Sequence, residues 1–599
     1  MREYSTPPSM DPPTTGNLTD DVVTNAREAP DQVVFSARPA SGTGEWSGIT
    51  AQQFLDDVRA VAKGLVAAGI EPGDRVALIS RTRYEWTLLD YATWFAGAVT
   101  VPIYETSSAE QVQWILDDSG ARAVVAEGPA HVARVNEVRS GLTELNHVWS
   151  FADNAVEILR RLGGDVPDDL LESRRTAAGP SDLATLIYTS GTTGRPKGCM
   201  LTHGNFMVEL GVAVPELKAL FESEDASTLL FLPLAHVFAR IIQVGAVKSR
   251  TRMAHSGDAT TLLDDLQAVR PTFILAVPRV FEKVFNTASQ RAAADGRGGV
   301  FDRAAETAIA YSRGLDRGKP SVAVRVQHAV FSRLVYGRLR DALGGRCEFA
   351  VSGGAPLGER LGHFYRGIGL TVLEGYGLTE TTGAVTVNLP DALKIGTVGR
   401  PLPGNAVRVA EDGELLFVGG QVFTGYWHND EATAEVLEPD GWFHTGDVGE
   451  IDDEGFVRIT GRKKEIIVTA GGKNVAPGAL EDRIRAHLLV DQCLVVGDGR
   501  PFIAALVTLD REALAGWAER NGKKADVRHL VDDPDLRAEI EQAVDDANRS
   551  VSKAESIRKF RILADEWTEE GGQLTPSLKL KRNVVMRQAR DEVAALYLP

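Results

Sequence analysis

Residues 188–198 read YTSGTTGRPKG: three glycines, one serine, three threonines and two cations in eleven positions. So much glycine and hydroxyl disfavours the interior of a helix or strand, and the stretch reads as a loop behind the apolar run of Ala184, Leu186 and Ile187. It is not a Walker A loop, because Arg195 and Pro196 separate Gly194 from Lys197, and Gly198 follows the lysine. Its chemistry still points to phosphate. Gly191 and Gly194 let backbone N–H groups approach oxygens, Ser190, Thr192 and Thr193 add hydroxyl donors, and Lys197 adds charge.

Upstream of this loop, amphipathic helices alternate with short apolar strands from about Ala51 to Asp264, which predicts βαβ units and parallel sheet. In AQQFLDDVRAVAKGLVAAG (residues 51–69), Phe54, Val58, Val61, Leu65 and Val66 line one helical face and Gly69 stops it. Residues 283–346 differ, with 12 Lys/Arg against 5 Asp/Glu in Ala-rich helical sequence. This helical insertion has one basic face, read either as a solvated surface or as a contact for an anionic membrane or acidic partner. Past Gly461 the texture changes again to a charged link, a strand, a Gly-rich turn, a helix and two more strands. We expect a loose tail over residues 1–20, a large domain over 21–463, and a small α/β lid over 464–599.

The composition bounds the function. With 599 residues and 43% apolar content, the chain should hold at least two units with a large core. A net charge of −17 argues against a nucleic-acid binder, which needs a basic field. The three cysteines show neither disulfide-framework nor zinc spacing, which fits a reducing cytoplasm. The N-terminal residues carry no signal-peptide pattern, and no window approaches a membrane span, so any membrane contact should be peripheral.

The 188–198 string resembles the phosphate loop of the adenylate-forming acyl-activating superfamily. Six further stretches match in the family's order: FLPLAHV with His236, SGGAPL at 352–357, EGYGLTET at 374–381, WFHTGDVG at 442–449, GRKKEIIVTAGGKNVAP at 461–477, and LTPSLKLKR at 574–582. The likeness runs from about residue 30 to 595. Within the superfamily, FLPLAHVFAR, VPRVFEKV, the helical insertion and AESIRKFRIL are similar to bacterial, mycobacterial-type long-chain fatty acyl-CoA synthetases. The fold this implies is α/β, with a large N-terminal domain of stacked mixed sheets and helices and a smaller mobile α/β C-terminal domain.

The resemblance also implies roles. ATP, CoA and a fatty acid are the expected substrates, with Mg²⁺ on Thr189 and Glu380. Lys579 would join carboxylate and α-phosphate, His236 would position the acyl carboxylate, and Thr379 would contact phosphate. Gly354, Ala355 and Pro356 would line the adenine, Tyr376 would stack on it, and Glu374, Gly375 and Gly377 belong to the same nucleotide motif. Asp447 and Arg462 would read the ribose, Gly471 and Gly472 would line the pantetheine channel, and Lys464 would be the hinge. The family's gating tryptophan is not evident beside His236, where Val237, Phe238 and Ala239 stand. Two other readings remain open: an acyl-AMP ligase that loads a carrier protein, and a non-catalytic acyl- or nucleotide-binding scaffold. Acyl chain length and oligomeric state are not specified by these residues.

Overall fold

The computed structural model describes residues 1–38, 45–189, 195–258, 260–575 and 579–598. Among these residues the strands form five sheets. One has six strands, in the order His147–Ser150, Ala121–Ala126, Arg75–Ile79, Val99–Ile103, Leu183–Thr189, Lys197–Thr202. Its pairs are parallel except the last, in which Thr189 lies opposite Lys197. The expected loop is therefore shorter than its composition suggests. Tyr188, Thr189, Lys197 and Gly198 pair as strand, because hairpin hydrogen bonds outweigh the weak β preference of glycine at an edge. Ser190, Gly191, Thr192, Thr193 and Gly194 lie outside the described residues.

A nine-stranded mixed sheet stacks against the first across a shared core. Helices Ala51–Ala67, Tyr84–Phe95, His203–Glu216 and Val237–Ser249 contribute to that core. The helix Ala51–Ala67 follows its sequence closely: Thr50 and Gln53 form a capping box, the five predicted residues are buried, and Gly69 takes φ +84° beyond its end. The insertion is helical as expected, over Pro278–Ala294, Gly298–Asp316, Val322–Phe331 and Gly337–Ala342.

A five-stranded antiparallel sheet carries Phe443–Ile451 and Val457–Arg462. Its edge strand corrects the expectation of a loose tail, since Glu3–Ser5 pairs with Ala406–Val409. Thr6 Oγ1 then donates to the Pro401 carbonyl at 2.7 Å. An open sheet edge is a template for any extended segment, and the proline-rich composition did not reveal that partner.

From Ile467 onward the chain builds separate cores around the strands Val490–Val496, Ile503–Leu509 and Ile557–Leu563. This segment meets the larger part through the ion pair of Arg279 with Asp491. It also does so through the cavity described next.

Candidate active site

One cavity of about 1630 Å³ opens between the two parts of the chain. Its polar end gathers Thr189, Lys197, Glu380, Asp447, Arg462 and Lys579. Its other end is apolar, walled by Leu210, Ala213, Leu217, Phe221, Ile241 and Ile242. A volume of this size exceeds the usual range for a single drug-sized ligand and suits several substrate moieties at once.

The polar end is assembled by strands and a short turn. Thr371–Gly377 delivers Tyr376, and the register of the antiparallel pair sets Asp447 opposite Arg462. Asp447 is 4% exposed. One of its oxygens accepts from the Tyr376 hydroxyl at 2.5 Å, and the other lies 3.2 Å from Arg462 Nε. Burial lifts the Asp447 carboxyl above the usual aspartate range, and Arg462, the Tyr376 bond and Lys579 oppose that lift. Each oxygen keeps a second lone pair for a further donor.

Glu380 sits in the short 3₁₀ turn Thr379–Thr381. Its Oε1 accepts from the Tyr426 hydroxyl at 2.8 Å, and Lys197 Nζ lies 4.7 Å from the centre of the same tyrosine ring. Tyr426 thus ties the hairpin lysine to the acidic turn, and nothing in its sequence context FTGYW marked it. Thr189 and Cys199 face each other across the hairpin, 3.8 Å between Oγ1 and Sγ. Burial raises the Cys199 thiol well above its ordinary range, so it carries no nucleophilic role.

His236 caps the helix Val237–Ser249: its Nδ1 accepts the Phe238 N–H at 3.1 Å. That bond leaves the proton on Nε2. Burial and the nearby Lys579 lower the imidazole to about 3, so it stays neutral at physiological pH and donates rather than carrying charge. The helix behind it is pinned by a buried ion pair. Arg240 Nη2 lies 2.5 Å from Asp90 Oδ1, with both side chains at 0% exposure. Gln243 and Thr185 complete that network.

Lys579 reaches the cavity from the C-terminal part and is bonded to Thr575. Thr575 N donates to the Lys579 carbonyl at 2.8 Å, and Lys579 N donates to Thr575 Oγ1 at 3.0 Å. Burial and Arg462 hold its ammonium below the ordinary lysine range, while Asp447 and Glu380 favour the charge. Lys464 also lines the cavity, in the turn Lys463–Glu465. Its neighbour Lys463 bonds Glu414 at 2.9 Å, a contact the motifs did not indicate.

Not every expected residue joins this group. Gly354, Gly375, Gly377 and Thr379 do, but Ala355 and Pro356 are exposed beyond the lining. Glu374 is buried behind the strand, where its Oε1 accepts the Leu357 N–H at 2.9 Å and burial lifts it to about 7. It fastens the 353–357 loop to the sheet. Gly471 and Gly472 lie in the exposed turn between Ile467–Val468 and Asn474–Val475, outside the cavity while Lys579 is inside it. Among the described residues no cluster of three or more His, Cys, Asp or Glu could hold a metal. The two oxygen donors Glu380 and Thr189 suit only a cation that keeps waters and substrate oxygens for its remaining positions, as Mg²⁺ does.

Known proteins share this architecture. Residues 22–427 match the family model "AMP-binding enzyme", and residues 464–598 match "AMP-binding enzyme C-terminal domain". The chain belongs to the AMP-binding enzyme family. A long-chain-fatty-acid–CoA ligase of Mycobacterium tuberculosis, FadD15, is 51% identical over the full length of both chains. The long-chain-fatty-acid–CoA ligase ACSBG2 of Xenopus laevis is 31% identical, over 92% of this chain and 80% of its own. In fold, the chain matches the crystal structure of the anthranilate CoA ligase AuaEII in complex with anthranoyl-AMP. The TM-score is 0.74 at 18% identity, over 98% of this chain and 99% of that one.

Proposed function

We propose that this protein is an AMP-forming long-chain fatty acid:CoA ligase. The observation that carries the reading is a single cavity whose lining joins apolar side chains, suited to an alkyl chain, to a cluster of cations and hydroxyls suited to triphosphate. The names of these two relatives support the substrate class.

In the first step a carboxylate oxygen bonds to the α-phosphorus of ATP and pyrophosphate leaves. Both reactants are anionic, so Lys579 stands between them, and the neutral His236 donates from Nε2 to the acyl carboxylate. Asp447 and Arg462 take the ribose hydroxyls, Tyr376 flanks the base, and Lys197 holds the outer phosphates beside Thr379. Mg²⁺, held by Glu380 and Thr189, would neutralise phosphate charge. In the second step the CoA sulfur bonds to the acyl carbon, the thiol gives up its proton and AMP leaves. Lys579 occupies the face that the thiol must approach, so the C-terminal part swings about Lys464 and brings the turn of Gly471 and Gly472 to the cavity.

Purified protein given ATP, Mg²⁺, palmitate and CoA should release AMP and pyrophosphate and form palmitoyl-CoA. Free CoA inert as acceptor, with a carrier protein active instead, would move the reading to an acyl-AMP ligase. The swing has its own check. Lys464→Pro should leave palmitate-dependent pyrophosphate release within about threefold and depress thioester formation by about a hundredfold. Equal losses in both steps would remove the hinge.

We assign the setting to the cytoplasm, with the helical insertion as a peripheral contact for anionic lipid. Among the described residues no helix is long and apolar enough to cross a membrane. Between residues 317 and 340 there are six Lys/Arg and no Asp/Glu. Val322, Val326, Val330 and Leu334 recur every fourth residue there, at 74%, 60%, 50% and 59% exposure. Vesicles of phosphatidylglycerol should sediment the protein at low salt and those of phosphatidylcholine should not. Val326→Glu with Val330→Glu should weaken the sedimentation by about tenfold.

A further inference from the structure

One carboxyl on the apolar wall takes no part in the steps above. Glu209 lies on the helix His203–Glu216, is 2% exposed and lines the cavity among Leu210, Ala213 and Ile241. Its Oε1 accepts the Ala384 N–H at 3.1 Å, and among the described residues its Oε2 has no hydrogen-bond partner. No cation among the described residues offsets it, and burial lifts its pKa to about 8, which favours the neutral acid whose O–H is a donor. Unpaired buried oxygen on a substrate wall is what a site for a polar substrate atom looks like, because alkyl carbon cannot satisfy it.

Its depth is set by its neighbour. A Cβ on Gly383 would come within 2.9 Å of Glu209 Oε1, so a larger residue there would make this carboxyl shift. Gly383 follows Glu380 by three residues, which sets the acid near the nucleotide end of the cavity. Leu217, at the C-terminal cap of the same helix, lies about 12 Å farther along its axis and also lines the cavity.

Resting on the ligase reading, we propose that Glu209 is a specificity-determining residue that hydrogen-bonds a hydroxyl or oxo oxygen on the proximal carbons of the acyl chain. An acyl chain with such an oxygen pairs Oε2; an unsubstituted chain leaves it unpaired.

The test compares kcat/KM for palmitate, its 2-, 3- and 4-hydroxy derivatives, and 16-hydroxypalmitate, read as acyl-CoA formed. In the wild type the hydroxy-to-palmitate ratio should peak at one proximal position. Glu209→Leu should lower that peak ratio about tenfold, and Glu209→Gln, which keeps a donor and the Ala384 contact, should hold it within about threefold. The 16-hydroxy ratio should not move in either variant. A flat wild-type series overturns the assignment even if the leucine variant does not fold. It is also overturned by an unchanged peak in Glu209→Leu, by an equal loss in Glu209→Gln, or by a change at the 16-position. Failure of the wild type to form palmitoyl-CoA would instead overturn the ligase reading on which the assignment rests.

Discussion

Replacing Lys579 with alanine should reduce palmitate-dependent pyrophosphate release by about a hundred- to a thousandfold, the usual loss when one preorganised cation or donor is removed from a developing charge. The lysine is a charge that the C-terminal part brings to the cavity near Arg462, Asp447 and Glu380. The half-reactions should separate. Palmitoyl-AMP supplied ready-made should react with CoA within about threefold of the wild-type rate, because under the proposed swing the lysine is withdrawn in that step. Since burial and Arg462 lower its pKa, the protonated form is lost earlier on the alkaline side than for an ordinary lysine. The alkaline limb of pyrophosphate release should therefore fall below the usual lysine range and be missing in the variant. Equal losses in both half-reactions, or pyrophosphate release left intact, would contradict this role.

The second large effect is on stability. Arg240→Met should cost about 3–5 kcal/mol, measured as a lowered urea midpoint, because it leaves Asp90 buried without its cation. The pH dependence has a definite sign. Asp90 already sits above the usual aspartate range through burial, with Arg240 the main force opposing that lift. Without Arg240, its folded-state value rises further above the unfolded one. The variant binds more protons folded than unfolded between those two values, and so loses stability as pH rises. Its deficit relative to wild type should be larger at pH 8 than at pH 5. A deficit that is flat with pH would show that lost packing against Trp86 and Trp94, rather than the bare carboxylate, dominates.

Much of this was readable in the residues because the chemistry concentrates it locally. The face of Phe54, Val58, Val61, Leu65 and Val66, closed by Gly69, is a short-range pattern, and it folds as written. Ordered motifs named residues that line the polar end of the cavity for the same reason, since Thr189 and Arg462 close strands, Glu380 sits in a tight turn and Asp447 lies within a strand, each placed by its own neighbours. What escaped depends on contacts across hundreds of residues. The pairing of Glu3–Ser5 with Ala406–Val409 has no local signature. Neither has the contact of Tyr426 with Glu380, nor the burial of Glu209 against Ala384. Glu374 illustrates the converse: its motif suggested the nucleotide, but alternation along the strand turns its carboxyl toward the Leu357 N–H instead.

The helix Val237–Ser249 has two sides with separate duties. Val237, Phe238, Ile241 and Ile242 face the cavity, while Arg240 and Gln243 are bound to Asp90 beneath it. An engineer who wishes to reshape chain-length preference can therefore recarve the first four positions while the anchor on the opposite side keeps His236 in register. Libraries restricted to that outer row should yield altered selectivity far more often than misfolded protein.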